Sequence, residues 1–390
     1  MKKKKILNKK VLLIIALILL SILIKYFFFS FESGDYKRFL LKWYNILDEE
    51  GLISIVNGLG NYNPPYLTLL YLLTFIPGPA IIKIKMLSVI FDILMGMIGF
   101  LIVKELTKEK HSYWAWIIIL FLPTVILNSS MWAQCDSIYT TFVLLSLYLL
   151  IKEKYSLSFL SLGVAFSFKL QFIFILPLFI IIYVVNKKFS IFHFLLIPLG
   201  NILMCLPVLL MGMPLINCFT TYITQTTDYS VYLTRNLANV YEFLPNIKII
   251  GYLLFIITGL LFLALLIYFL KRNKEISKKE IISIGLLSIL IAVYFLPFMH
   301  ERYMFMADVL SVVWYFIYKK KIYIPIIINL GSLAGYTVYL FGFKWMPLWI
   351  FSCLMLFAII SLLLDIMDKN NKLKWSKIPN DMNPKNSLTF

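Results

Sequence analysis

PYLTLLYLLTFIP, residues Pro65 to Pro77, is the stretch on which the fold turns. It is apolar but only 13 residues long, whereas a membrane-spanning helix needs about 20. If it crossed, the segment from Lys85 to Lys104 would run outward. Lys104, Lys108 and Lys110 would then face outside, with every later Lys-rich link. Basic links are held on the cytoplasmic side. The stretch is therefore read as a helix that lies on the outer face without crossing. Asn63-Pro64-Pro65-Tyr66 opens it, and proline suits a first turn that needs no N–H.

The rest of the chain supports a membrane setting. Of its 390 residues 61% are hydrophobic and 14% charged, with mean hydropathy +0.87. A soluble domain is about 45–50% apolar and about 25% charged. The net charge of +18 is spread over short loops and no nucleic-acid-binding fold is visible, which excludes nucleic acid as a partner. The four cysteines show no C-x-x-C spacing and make no disulfide framework. His111 and His193 stand alone, so a zinc site is not expected. The basic N-terminus and the apolar run Val11 to Phe29, with no small-residue cleavage site after it, predict a retained signal-anchor helix.

Spans are expected over about 11–29, 82–104, 113–127, 137–151, 156–168, 170–186, 190–211, 249–270, 281–298, 303–318, 322–341 and 346–366. The expected fold is all-α: a polytopic integral membrane protein of about 12 helices with both termini cytoplasmic. Residues 1–366 form one transmembrane domain with outer loops over about 30–81 and 212–247. Residues 367–390 form a cytoplasmic tail, expected to be disordered.

The links between spans then fall into two alternating sets. Lys2 to Lys5, Lys108 and Lys110, Lys152 and Lys154, Lys187 and Lys188, Lys271 to Lys279 and Lys319 to Lys321 face the cytoplasm. The other set holds the acids, amides, His and Arg that are placed for chemistry. Asp35 follows the first span and can take a proton from a hydroxyl, or cap a helix that begins near Tyr36. Gln134 and Asp136, beside Trp132, are polar groups that should face a cavity or cap a helix. Lys169 and Gln171 interrupt an apolar run; an unpaired central Lys costs about 2.5–3.5 kcal/mol, which a phosphate or a carboxylate would offset. The chain is expected to break a helix there. His300-Glu301-Arg302 can hold an anion, since guanidinium forks onto phosphate oxygens, or can form an interfacial salt-bridge cluster. Arg235, Asn236 and Asn239 lie in the second outer loop with Tyr232 and Tyr241, a mixture suited to sugars and also to any interfacial loop. Asp92 is expected to pair inside the bundle, and Asp308 to pair internally with Arg302 as its candidate.

SGDYKRFLLKWY (33–44), NYNPPYLTLLYLL (61–73), KMLSVIFD (85–92), MWAQCDSIYT (131–140), FSFKLQFIFILP (166–177), LTRNLANVYEFLP (233–245) and FMHERYMF (298–305) follow one another in this order. Together they resemble the GT-C superfamily of membrane glycosyltransferases, in particular bacterial relatives of the GPI-anchor mannosyltransferases. Where the family pattern has Gly before the Gln, this chain has Ala133. Asp35 has no adjacent second acid, so no metal or other cofactor is expected.

The resemblance implies a GT-C-like fold and an inverting transfer at the outer face of the plasma membrane. A monosaccharide would move from a polyprenyl-phosphate donor, undecaprenyl phosphate in a bacterium, to an envelope glycan or lipid-linked oligosaccharide. It implies Asp35 as general base and the segment His300 to Arg302 near the donor phosphate; Lys169 and Arg235 are secondary candidates for cations that would hold the developing charge there. Gln134, Asp136, Gln171, Glu301, Tyr36, Asn63, Tyr66, Asn236 and Asn239 would shape the sugar or acceptor pocket. The rival readings are a transporter or flippase of lipid-linked glycans, using Lys169, Asp92 and Asp308 as a pathway, and a polysaccharide polymerase.

Overall fold

The computed structural model describes residues 2–228 and 232–375, with side chains over 9–222 and 232–367. Among these the regular structure is helical, apart from two two-residue strands, Thr234–Arg235 and Met299–His300. The strands pair in parallel and set Arg235 beside His300. Five helices are long and apolar enough to cross a bilayer: Lys9–Phe27, Ala80–Thr107, Lys248–Lys271, Tyr323–Phe341 and Leu348–Met367. A sixth is a broken pair, Tyr113–Phe121 and Pro123–Trp132, bent by 59°. The break has a local cause, because a residue before proline is driven out of the helical region; Leu122 takes ψ 128° and Pro123 starts the next turn. Four shorter apolar helices follow, Asp136–Ile151, Tyr155–Phe168, Leu170–Asn186 and Ile191–Met204. The chain is thus an all-α membrane protein.

The decisive stretch forms a helix over Pro64–Thr74, 11 residues long, with Asn63 extended ahead of it. At 1.5 Å per residue that is roughly 16 Å, about half the hydrocarbon thickness. Tyr66, Leu67 and Leu70 are buried on it, and it packs against Leu41–Glu50, Ala80–Thr107 and Tyr155–Phe168. The long loop around it is itself mostly helical: Tyr36–Leu40 is wound as a π-helix and runs into Leu41–Glu50.

The centre of the bundle is Lys278–Phe295 with Phe305–Tyr318. Every residue from Ile281 to Tyr294 is buried, as expected of a helix that is apolar all round. Two further helices meet backbone to backbone. A Cβ on Gly163 would come within 2.5 Å of the Ile197 carbonyl, and one on Gly200 within 2.9 Å of Gly163 Cα. Small residues permit such close crossings in membranes.

Buried charged side chains in the bundle are held by a counter-ion, by carbonyls or by a hydroxyl. Lys25 and Asp92 are fully buried and 2.6 Å apart. Lys85 donates to the carbonyls of Phe28, Phe29 and Phe31 at 3.1, 3.0 and 2.6 Å, closing off the end of the first helix. Asp308 accepts from Ser332 at 2.8 Å. The expected Asp308–Arg302 pair does not form. Arg302 sits on the 3-10 turn Glu301–Met304 and reaches Asp35 instead, while Asp308 faces the helix Tyr323–Phe341.

The Lys-rich links are tied to one another. Glu105 meets Lys108 at 3.1 Å and Lys152 at 3.4 Å, Glu153 meets Lys278 at 2.9 Å, and Glu275 meets Lys188 at 2.8 Å. Glu109 pairs with Lys319 and Asp365 with Lys320. Exposed pairs of this kind add little stability, but they place these links at one end of the molecule. The last helix, Leu348–Trp375, continues beyond the expected span; residues 376–390 of the expected disordered tail lie outside the described residues.

Candidate functional site

The links of the other set converge on Asp35. Ser33 takes the capping position: its hydroxyl accepts from the Tyr36 N–H at 3.1 Å and donates to the Trp132 carbonyl at 2.8 Å. Asp35 is already helical (φ −69°, ψ −37°), and its side chain makes no cap. That leaves the carboxylate for other contacts. Oδ2 accepts from Trp132 Nε1 at 2.8 Å, Gln134 Nε2 at 3.0 Å and Arg302 Nη1 at 3.3 Å. Oδ1 accepts from the Tyr339 hydroxyl at 2.6 Å. Four donors from three distant parts of the chain thus hold one partly exposed carboxylate.

The Trp132–Asp136 link is fixed as firmly as the helices around it. Leu127–Trp132 is a π-helical turn that ends on Ala133 in the left-handed region (φ 62°, ψ 35°). Gln134 N–H donates to the Asn128 carbonyl at 2.9 Å, and its own carbonyl accepts from Ser88 at 2.7 Å. Its side-chain oxygen accepts from Tyr62 at 3.0 Å, so the amide can turn only one face to Asp35. Trp132 stacks on Tyr339 with centroids 4.2 Å apart, and the Arg302 guanidinium lies 5.7 Å from the Trp132 ring.

Asp35, Arg38, Tyr62, Trp132, Gln134, Arg235, Asn236, His300, Glu301, Arg302 and Tyr339 line a cavity of about 830 Å³, together with Phe39, Leu40, Trp43 and Asn61. Burial, with Arg302 and Arg235 nearby, pushes the His300 imidazole down to about 3. His300 is therefore neutral at pH 7 and offers a ring N–H rather than a charge. Burial pushes the Glu301 carboxyl up to about 7, and Glu301 Oε2 has no hydrogen-bond partner.

Lys169 breaks the chain as expected: it is extended (φ −151°, ψ 140°) between Tyr155–Phe168 and the 3-10 turn Leu170–Ile175. Its ammonium lies 2.6 Å from Asp136 Oδ1, and Asp136 Oδ2 accepts from Asn128 at 2.8 Å. Lys169 and Gln171 open instead onto a second cavity of about 910 Å³, walled mainly by apolar side chains including Ile173, Phe174, Pro297 and Phe298. Phe298 is held in the left-handed region (φ 63°), uncommon for a bulky residue, and its N–H donates to the Leu233 carbonyl at 2.7 Å. Tyr62 and Arg302 line both cavities.

Other expected pocket residues are placed elsewhere. Tyr36 and Tyr66 are buried in the hydrophobic core. Asn63 donates to the Ser167 carbonyl at 2.9 Å and to Asn201 Oδ1 at 3.1 Å, tying helices together. Asn239 accepts from the Tyr241 N–H at 3.1 Å and caps a 3-10 turn. Tyr62 and Tyr339, which carry much of the geometry with Trp132, do not stand out in an aromatic-rich chain. Among the described residues no three His, Cys, Asp or Glu side chains gather as metal ligands.

The arrangement offers a carboxylate that can accept a proton, a guanidinium beside it, and an apolar groove with a second cation a short way off. No protein-family model matches the chain, and the comparison with curated proteins found no match.

Proposed function

We propose that the chain is an inverting glycosyltransferase of the GT-C type, using a polyprenyl-phosphate sugar. About 12 crossings, short helices included, would put both termini in the cytoplasm and the site at the outer face of the plasma membrane. One observation carries the reading: Asp35 and Arg302 meet at 3.3 Å, and Arg302 also borders the apolar groove that contains Lys169. A lipid-phosphate sugar has parts that match each feature. Its chain suits the groove, its phosphate suits Arg302 and Lys169, and its sugar suits the cavity at Asp35.

In the step, the acceptor oxygen bonds to the anomeric carbon from the face opposite the phosphate. The bond from that carbon to the phosphate oxygen breaks, and the electron pair leaves with the phosphate. The acceptor proton passes to Asp35. The leaving group is already a stable anion, so no general acid is needed. Cations preorganised about the phosphate stabilise the charge that develops there: Arg302 directly, and Lys169 once it turns from Asp136. Neutral His300 can donate one hydrogen bond.

The test is transfer by the purified protein in lipid nanodiscs, from short-chain polyprenyl-phosphate hexoses to lipid-linked glycans of the host membrane. Transfer with inversion is expected, and Asp35→Asn should lower turnover by about 10²–10⁴. Full transfer by Asp35→Asn would remove the base assignment. A flippase would move lipid-linked glycan without making a new bond and would tolerate that change. A polymerase would give a ladder of products by mass. The flippase pathway has less support, since Asp92 and Asp308 are engaged with Lys25 and Ser332.

A further inference from the structure

The two oxygens of Asp35 are unlike. Oδ2 accepts from Trp132, Gln134 and Arg302. Among the described residues Oδ1 accepts from the Tyr339 hydroxyl alone, at 2.6 Å. A base must have a lone pair open to the incoming proton. Oδ2 has its donors built into the rigid link and the 3-10 turn, so Oδ1 is the oxygen that can be vacated. The Tyr339 hydroxyl there is chemically what an acceptor presents: one O–H donated to a carboxylate.

Tyr339 also belongs to a second wall. Beyond it a wide open cleft of about 1520 Å³ runs between the 232–242 segment and the start of the last helix. Arg235, Asn236 and Tyr339 are common to this cleft and the cavity at Asp35. Its rim carries Tyr232 and Trp349, 54% and 52% exposed. Glu242 and Lys344 lie between them, and burial raises the Glu242 carboxyl. Aromatic faces with interspersed amide, carboxyl and ammonium groups suit a saccharide, whose C–H face stacks and whose hydroxyls donate and accept. The cleft shares no lining residue with the groove at Phe298.

We infer that the cleft between Tyr232, Lys344 and Trp349 is the acceptor-saccharide site, and that the Tyr339 hydroxyl occupies the place on Asp35 that the acceptor hydroxyl takes. This rests on the glycosyl-transfer reading. Donor and acceptor then reach the shared cavity by different walls, the donor past Tyr62 and Arg302 and the acceptor past Arg235, Asn236 and Tyr339. The acceptor displaces the Tyr339 hydroxyl from Oδ1, donates its proton there, and forms the new bond as the sugar–phosphate bond breaks. Until it arrives, Tyr339 keeps water off the base. Tyr339 is a positioning residue, with Trp132 stacked beneath it.

The experiment measures transfer and hydrolysis separately, using a short-chain polyprenyl-phosphate hexose as donor and the lipid-linked glycan fraction of the host membrane as acceptor. Trp349→Ala and Tyr232→Ala should each raise the acceptor concentration for half-maximal rate by up to about tenfold, with the donor value unchanged. Tyr339→Phe should raise donor hydrolysis several-fold in the absence of acceptor. Both rim residues are exposed, so neither change should disturb folding. Wild-type transfer with unaltered acceptor dependence in both rim variants would overturn the cleft assignment and leave these aromatics as interfacial anchors. Unchanged hydrolysis in Tyr339→Phe would overturn the role of its hydroxyl. Absence of transfer from every lipid-phosphate sugar by the wild type would remove the underlying reading, and the inference with it.

Discussion

At the scale of single residues, contrast decides what a sequence reveals. Asp35, Gln134, Lys169 and Arg302 stand out because charged and amide groups are rare in this chain; the structure sets Gln134 and Arg302 on Asp35 and places Lys169 on the neighbouring cavity that Arg302 also lines. Tyr339 and Tyr62 do not stand out where 17% of residues are aromatic. Nor does side-chain direction. Tyr36 lies one residue from Asp35 yet faces the core, and Asn63 spends its amide on two neighbouring helices. Glu301 gives a pH test. Its carboxyl titrates at about 7 in the fold against the ordinary 4.5. Below 4.5 both folded and unfolded chains are protonated there, and no difference arises. As pH rises toward 7 the unfolded chain alone gives up its proton, so stability falls, and above 7 the deficit stays constant. It is at most about 3 kcal/mol. Glu301→Gln should therefore gain in melting temperature over wild type between pH 5 and pH 8; a constant difference would count against the shift. Ala133, held in the left-handed region, should gain about 0.5–1 kcal/mol of stability on change to Gly, read by the same melts.

At the scale of elements, the helix Pro64–Thr74 was legible through charge and length, although its own residues do not distinguish a short span from a surface helix. Helix ends were less legible. The bend at Pro123 divides an apolar run that hydropathy alone would join, whereas the break at Lys169 was legible from its charge. Close approaches were not legible at all, because they depend on which glycine meets which backbone. Gly335 is the clearest case: a Cβ there would lie 2.1 Å from the Asn236 carbonyl oxygen and 2.8 Å from Glu301 Cβ. Gly335→Ala should push the Thr234–Arg235 strand away from Met299–His300. Transfer should fall by at least tenfold, with a stability loss of about 1–3 kcal/mol. Activity retained at wild-type level would show that the strand pair does not set the site.

At the scale of the whole molecule, alternation of the links is what made the architecture readable. The ion pairs from Glu105 to Asp365 join the Lys-rich links to one another, and the proposed topology puts that end in the cytoplasm. Single cysteines placed in a cysteine-free background test the orientation. In intact cells a membrane-impermeant maleimide should label Lys344→Cys and Glu49→Cys and spare Lys188→Cys and Lys274→Cys; the reverse pattern would invert the proposed topology.

The buried pair Lys25–Asp92 bears on how the protein is made. Its partners lie 67 residues apart in the chain, and at about 5–20 residues per second the ribosome needs several seconds to pass from one to the other. During that interval the first helix stands in the lipid with its ammonium uncompensated. The helix that brings Asp92 also brings Lys85, which ties off its exposed carbonyls. The helix Ala80–Thr107 thus supplies the partners of both the Lys25 ammonium and the terminal carbonyls of the first helix, and a nascent chain arrested before Asp92 would leave Lys25 without its counter-ion.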